Sequence, residues 1–340
     1  MNSWAYKEGK STLTLLTMSE NVNTTLNGSQ PSGCFNNPTA EKIGKTVFYG
    51  LILLVSLAGN TSIGIIVYKT KTMRKPINFL IANMAMSDLL YPTVLIPWSL
   101  QGLYIKDSWL IGGPLGQALC KLVFFLTHVP GVVSVQSLVL IAVDRFGAVV
   151  FPLRSPFISS RLCPFFILTT WILALAVGSP YLFAMKLVEY PRGLECGMRW
   201  DEVFGETFPF KKYFVGFSVI FTVVPYVLIA IFYIIIFSKL KSQKIPGEQS
   251  TNTEAEQRRQ RERNVLKMAV AIVLGFAICW FPLIIMFLLV FSASDILMSC
   301  GFHYFRSLAY LMVSANCAIN PCICFIFSSN YRQGLKTLVR

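Results

Sequence analysis

The chain has 340 residues, a formal charge of +14 and 54% hydrophobic side chains. Clustered Lys and Arg can mark a nucleic-acid binder, but here they flank long apolar runs with no RNA-binding or finger motif, so no nucleic-acid partner is expected. With two histidines, no phosphate loop and no nucleophile elbow, a His-based metal site or an enzyme is not expected either.

Residues 1–44 read as an outer tail rich in Ser, Thr and Asn, with glycosylation sequons at Asn23 and Asn27. The apolar stretch near Leu13 is short and lacks a cleavage pattern, so the first span is expected to act as an uncleaved anchor. Seven apolar stretches follow, at 46–68, 78–101, 121–143, 164–185, 213–237, 268–291 and 307–327. Each reaches the length of about 20 residues that a helix needs to cross a bilayer. In lipid a helix satisfies its own backbone, and no barrel-like alternation is present, so the fold class is all-α, a seven-transmembrane helix bundle over 45–327. Residues 328–340 are left for a short amphipathic helix on the cytoplasmic membrane surface.

Basic residues collect on alternate connections: Lys69, Lys71, Arg74 and Lys75 after span one, Arg154 and Arg161 after span three, an Arg-rich run before span six, and Arg332, Lys336 and Arg340 at the end. Acidic and basic residues balance in the opposite connection, 186–212. The positive-inside rule then puts the N-terminus outside, in a multi-pass protein of the plasma membrane whose inner face attracts anionic lipid.

Cys120 opens span three at the outer face and Cys196 lies in the outer loop after span four, an oxidising location where a disulfide is expected. Cys34 and Cys300 are the other outer cysteines, and a second bridge or two free thiols both remain open. Cys163, Cys279, Cys317, Cys322 and Cys324 read as small buried hydrophobes.

Asp88 lies deep in span two, with Asn60, Ser134, Asn316 and Asn320 at similar depth in other spans. A carboxylate there needs a proton, a hard monovalent cation or a hydrogen-bonded cluster to offset its lost hydration. Asp144-Arg145 closes span three, and Glu262 opens span six, offering either an Arg145–Glu262 clamp or an interfacial pair without regulatory weight. Prolines 97, 180, 225, 282 and 321 kink spans. Trp280 directly before the turn of Pro282 makes the strongest case for a lever.

At these residues the chain resembles the rhodopsin-like (class A) G protein-coupled receptors. The resemblance rests on Gly59-Asn60, Asp88, Cys120, Asp144-Arg145-Phe146, Trp171, Pro225 with Tyr233, Cys279-Trp280-Phe281-Pro282 and Asn320-Pro321, and covers roughly 45–340. It implies a sodium pocket at Asp88, Ser134, Asn316 and Asn320, with no cofactor beyond that allosteric ion. It also implies a G-protein switch of Asp144, Arg145, Phe146, Glu262 and Tyr233, and a toggle of Phe276, Trp280 and Pro282. A heterotrimeric G protein, arrestin and membrane lipids are the implied inner partners. Two positions depart from the family pattern: Phe146 stands for the commoner tyrosine, and Cys324 for the tyrosine that follows Asn-Pro.

Thr127 and Ser314 occupy the places where the family's amine receptors carry an aspartate and its opsins a lysine. What remains is most similar to neuropeptide receptors for tachykinins, galanin and RFamides, through Pro97-Trp98, Trp109-Leu110-Ile111-Gly112 and Cys120-Lys121. The resemblance implies an extracellular peptide ligand. The candidate pocket lining is Trp98, Gln101, Thr127, His128, Phe217, Phe287, Arg306 and Tyr310, of which His128 reads equally as a core histidine bonded to a carbonyl. A lipid or nucleotide ligand is the alternative. A transporter or channel is a weaker one, since the halves show no inverted repeat and one intramembrane Asp makes no charged ring.

Overall fold

The computed structural model describes residues 38–105, 109–154, 156–190, 193–242, 253–292 and 299–339, without the side chains of 38, 242, 253–259, 261, 262 and 339. The tail sequons at Asn23 and Asn27, Cys34 and the side chain of Glu262 lie outside the described residues.

Among the described residues, seven helices are long and apolar enough to span a membrane. They are α1 Pro38–Lys69, α2 Pro76–Tyr104, α3 Gly113–Val150, α4 Cys163–Ala184, α5 Phe210–Lys241, α6 Thr253–Ser292 and α7 Cys300–Phe327. An eighth, α8 Ser329–Val339, follows one residue after α7. Most helices exceed the spans expected from hydropathy, α3 by about two turns at each end. Hydropathy stops where polar residues begin, whereas the backbone keeps closing i to i−4 bonds past the lipid boundary.

Two helices change geometry near proline. In α4 the regular helix stops at Gly178 and resumes at Pro180 after Ser179. In α5 a π-turn, Val219–Val223, precedes Pro225. Proline has no N–H to donate and its ring crowds the carbonyl four residues back. The wider turn with its extra residue relieves that crowding.

The long α3 touches α2, α4, α5 and α6, while α1 packs on α7 to close the ring. One large apolar cluster fills the half near the α3 C-terminus, including Leu80, Met84, Leu138, Ile272 and Phe276. Asn83 ties three helices inside it. Its Nδ2 donates to Ser137 Oγ at 2.9 Å on α3, and its Oδ1 accepts from Trp171 Nε1 at 2.8 Å on α4.

Between α4 and α5 the mixed-charge loop folds into an antiparallel hairpin, β1 Met185–Tyr190 and β2 Gly193–Met198, with Leu187 opposite Cys196. Gln117 on α3 stitches it down. Its Oε1 accepts from Leu187 N at 2.9 Å, and its Nε2 donates to Met185 O at 3.2 Å. At the other end of the bundle α8 turns back along α1. Tyr331 is buried and donates to Asn78 Oδ1 at 3.3 Å, burial raising its phenol pKa well above the usual value. Arg332 donates Nη1 to the Phe325 and Ile326 carbonyls at 3.1 and 2.6 Å, capping the otherwise open end of α7.

Cys163, Cys279, Cys317 and Cys324 are buried as expected, but Cys322 is exposed. It sits on α7 between the buried Pro321 and Ile323, on the face turned toward the surroundings.

A close helix contact joins α1 to α7. A Cβ built on Gly59 would lie 2.6 Å from Pro321 Cβ, whereas one on Gly64 meets nothing within 4 Å. Gly59→Ala is therefore expected to cost about 1–3 kcal/mol by overpacking. Thermal unfolding in detergent should show a clearly lowered Tm for Gly59→Ala and an unchanged one for Gly64→Ala.

Candidate functional site

Asp88 is only 2% exposed. Asn320 on α7 donates Nδ2 to its Oδ2 at 2.8 Å, and Ser134 on α3 hydrogen-bonds the same carboxyl. Ser134 also shares a 2.8 Å hydroxyl bond with Ser87. On the α1 side, Asn60 Nδ2 donates to Ser56 O, Ser56 Oγ and Cys317 O at 3.0, 3.1 and 2.9 Å. The side-chain oxygens of Asn60, Asn316 and Asn320 have no protein partner among the described residues. Asp88, Ser134 and Asn320 thus meet from α2, α3 and α7 in one buried chamber, rich in acceptors that protein donors leave open; Asn60 joins from α1 through Ser56, and Asn316 is buried on α7.

A step toward the outer half, Phe276 and Trp280 stack with centroids 5.6 Å apart and planes 9° from parallel. Tyr91 leans on the indole at 6.4 Å. On α3, Gly131 makes room for it: a Cβ there would lie 2.7 Å from Trp280 Cη2. Pro282, two residues on, lies inside α6. Nothing in the sequence marked Gly131, because its role depends on which face of α3 meets α6.

At the α3 C-terminus Arg145 donates Nε and Nη2 to one oxygen of Asp144, the Nε bond at 3.0 Å. Phe146 packs its ring against Phe232 on α5 at 5.0 Å. Tyr233 is buried on α5, with a hydroxyl that meets no partner among the described residues. The clamp expected between Arg145 and Glu262 lies outside the described side chains. Leu153, outside the expected site residues, stands 101% exposed in the connection just beyond α3.

The opposite end holds the disulfide. Cys120 and Cys196 are bridged with Cα atoms 5.7 Å apart, fixing β2 to the start of α3. Cys300 is also disulfide-bonded, and the expected partner Cys34 lies outside the described residues. Beneath the hairpin, Trp200 packs against Tyr213 at 4.7 Å and Phe210 at 5.3 Å, and donates Nε1 to Phe208 O at 2.9 Å. This cluster was not anticipated, since Trp200 looks like a lone aromatic in a charged loop. Outside it, Lys186 donates to Glu202 at 2.6 Å and holds that carboxyl below its usual pKa.

The eight candidate pocket residues divide into groups. Trp98 meets Phe124 edge-on at 5.2 Å. Thr127 turns back to Phe124 O at 2.8 Å, and His128 donates Nδ1–H to that carbonyl at 2.7 Å while stacking on Tyr181 at 3.9 Å. The carbonyl-bonded alternative for His128 is thus the geometry found. Phe287 and Tyr310 join one apolar cluster, in which Phe287 lies 4.5 Å from Phe214. Phe217 packs against a different cluster, with Phe125 on α3 and Trp171 on α4. Arg306 is buried on α7, and Gln101 is partly buried on α2.

The family model for the seven transmembrane receptors of the rhodopsin family matches residues 59–323, which contain the chamber, the stacked pair and both ends of α3. The chain belongs to that family. The receptor is 29% identical over 301 residues to a QRFP-like peptide receptor of Branchiostoma floridae, covering 86% of this chain and 77% of that one. It is 29% identical over 308 residues to a RYamide receptor of Drosophila melanogaster, covering 88% and 63% of the two chains. Against neuropeptide Y receptor type 1 of Xenopus laevis it is 28% identical over 299 residues, covering 85% and 78%.

Gly131→Ala is expected to displace the receptor's Trp280. With 5-fluorotryptophan incorporated and the resonance assigned by Trp280→Phe, that signal should shift in Gly131→Ala. It should stay fixed in Gly216→Ala, where a Cβ meets nothing within 4 Å.

Proposed function

We propose that this receptor binds an extracellular peptide at its hairpin end and activates a heterotrimeric G protein at the other. The single observation that carries the reading is the β-hairpin pinned to α3 by Cys120–Cys196, which forms a firm roof beside aromatic clusters instead of a loose cover. A broad ligand gains from such aromatic anchors and a few polar orienters. The relatives named as peptide receptors support the same class. The hairpin end faces outside and the basic end faces the cytoplasm, in keeping with the Lys and Arg near the inner span ends.

Binding shifts the receptor only through its differential affinity for two bundle states. The stacked Phe276–Trp280 pair sits between the outer aromatics and the large inner cluster, where movement of α6 past Gly131 would change the packing of both. Inverting a roughly hundredfold population bias takes about 5.5 kcal/mol. The Asp144–Arg145 contact is too small for that alone, so the preference is spread over the packing as well. Leu153, exposed in the connection after α3, supplies an apolar contact for the G protein.

A sodium ion fits the chamber around Asp88. One carboxylate and the open amide oxygens of Asn60, Asn316 and Asn320 are hard donors of the kind such an ion takes. Its binding would favour the conformation in which α2 and α7 stay joined through Asp88 and Asn320.

A peptide-library screen in cells reporting calcium and cyclic AMP tests the ligand class. Activation is expected from a peptide, and activation solely by a lipid or nucleotide panel would overturn it. With the agonist in hand, Arg145→Ala should abolish nucleotide exchange on the G protein and Leu153→Ala should reduce it several-fold, both at normal surface expression. Asp88→Asn is expected to remove any sodium dependence of agonist affinity, measured by competition binding with sodium or a large organic cation.

A further inference from the structure

A cavity of about 680 Å³ opens at the end of the bundle opposite the hairpin, between the start of α2, the end of α3 and the connection leading to α4. Lys75, Arg145 and Arg154 line it, together with the hydroxyl-bearing Ser159 and Ser160. Its one carboxylate, Asp144, is already engaged by Arg145. Arg154 is held with its guanidinium 5.2 Å over the Phe151 ring. The N-terminus of α2 enters the same space at Pro76 and Ile77, and α2 begins without a side-chain cap. The partial positive charge of this helix N-terminus therefore adds to three cations facing one neutralised carboxylate. A site of this sign and size, at the depth of lipid headgroups, is built for a multiply charged phosphate.

The apolar surface beside it fits a tethered form of that anion. On α4, Leu162, Phe165, Leu168 and Ile172 are exposed at helical spacing, leading away from the cavity along the bilayer. We propose that the cavity binds the phosphorylated headgroup of an inner-leaflet lipid, phosphomonoesters against Lys75 and Arg154, with the acyl chains along α4. The proposal rests on the orientation given above, in which this end faces the cytoplasm. The binding assay below reads the site itself in purified receptor, so its failure is distinguishable from a failure of the peptide-receptor reading.

Purified full-length receptor in detergent would be titrated with a fluorescent phosphatidylinositol bisphosphate, with phosphatidylcholine as the neutral lipid and free inositol trisphosphate as the soluble headgroup. Saturable binding of the bisphosphorylated lipid is expected, without competition by phosphatidylcholine. Replacing both Lys75 and Arg154 by Gln should weaken it about 30-fold, each basic residue near an anionic headgroup being worth about fivefold. Lys336→Gln on α8 should leave it unchanged. Ser160→Glu, which places a carboxylate at the cavity without removing a cation, should weaken binding as well and guards against misfolding of the double variant. Competition by the free headgroup at equal affinity would assign the site to a soluble polyphosphate and overturn the lipid form. Equal binding by the double variant, or equal losses in Lys336→Gln, would overturn the site altogether.

Discussion

Asp88 has nowhere to send its charge except into the bundle. Buried on α2, it recruits Asn320 from across the ring and Ser134 from α3, while its backbone carbonyl accepts from Ser56 on α1 at 3.1 Å. Four helices are thereby committed to one small volume, because a carboxylate stranded in an apolar interior would cost more than any neighbouring contact returns. The glycine–proline contact between Gly59 and Pro321 follows from the same demand, since α1 and α7 can reach the chamber together only at close range. Stability and responsiveness meet here: the bonds that neutralise Asp88 also hold α7 in one register against α2.

α3 carries this arrangement between the two faces. It is tied covalently to the hairpin at Cys120, passes the indole at Gly131 and the chamber at Ser134, and ends in the Asp144–Arg145 pair. A rigid central helix fixed at its hairpin end makes the neighbouring α6, with Pro282 inside it, the natural moving part. The large inner cluster then becomes the resistance against which that movement works, and its many small contacts set how far the resting state prevails.

Much of this was legible in the chain. Seven apolar runs, a buried Asp, paired outer cysteines and a Trp before a proline are signals of composition and spacing, and lipid leaves the backbone few other solutions. What escaped notice depends on rotation about a helix axis. Gly131 and Trp280 meet only because of how α3 and α6 are turned. Cys322 faces outward for the same reason, its two buried neighbours having taken the inner side. The hairpin was hidden too, since its strands are short, mixed in charge and paired through main-chain atoms that carry no side-chain signature.

The wide turn at Val219–Val223 has an effect on how α5 can vary. One additional residue in a helical turn rotates everything beyond it by about 100° relative to a regular helix. The stretch bearing Phe210, Tyr213, Phe214 and Phe217 is thus uncoupled in phase from the stretch bearing Tyr226 and Tyr233. Substitutions that re-aim aromatic rings above the bulge need not disturb the tyrosines below it. Such a joint lets the half nearer the hairpin drift toward new recognition while the half beyond the bulge keeps its own pattern.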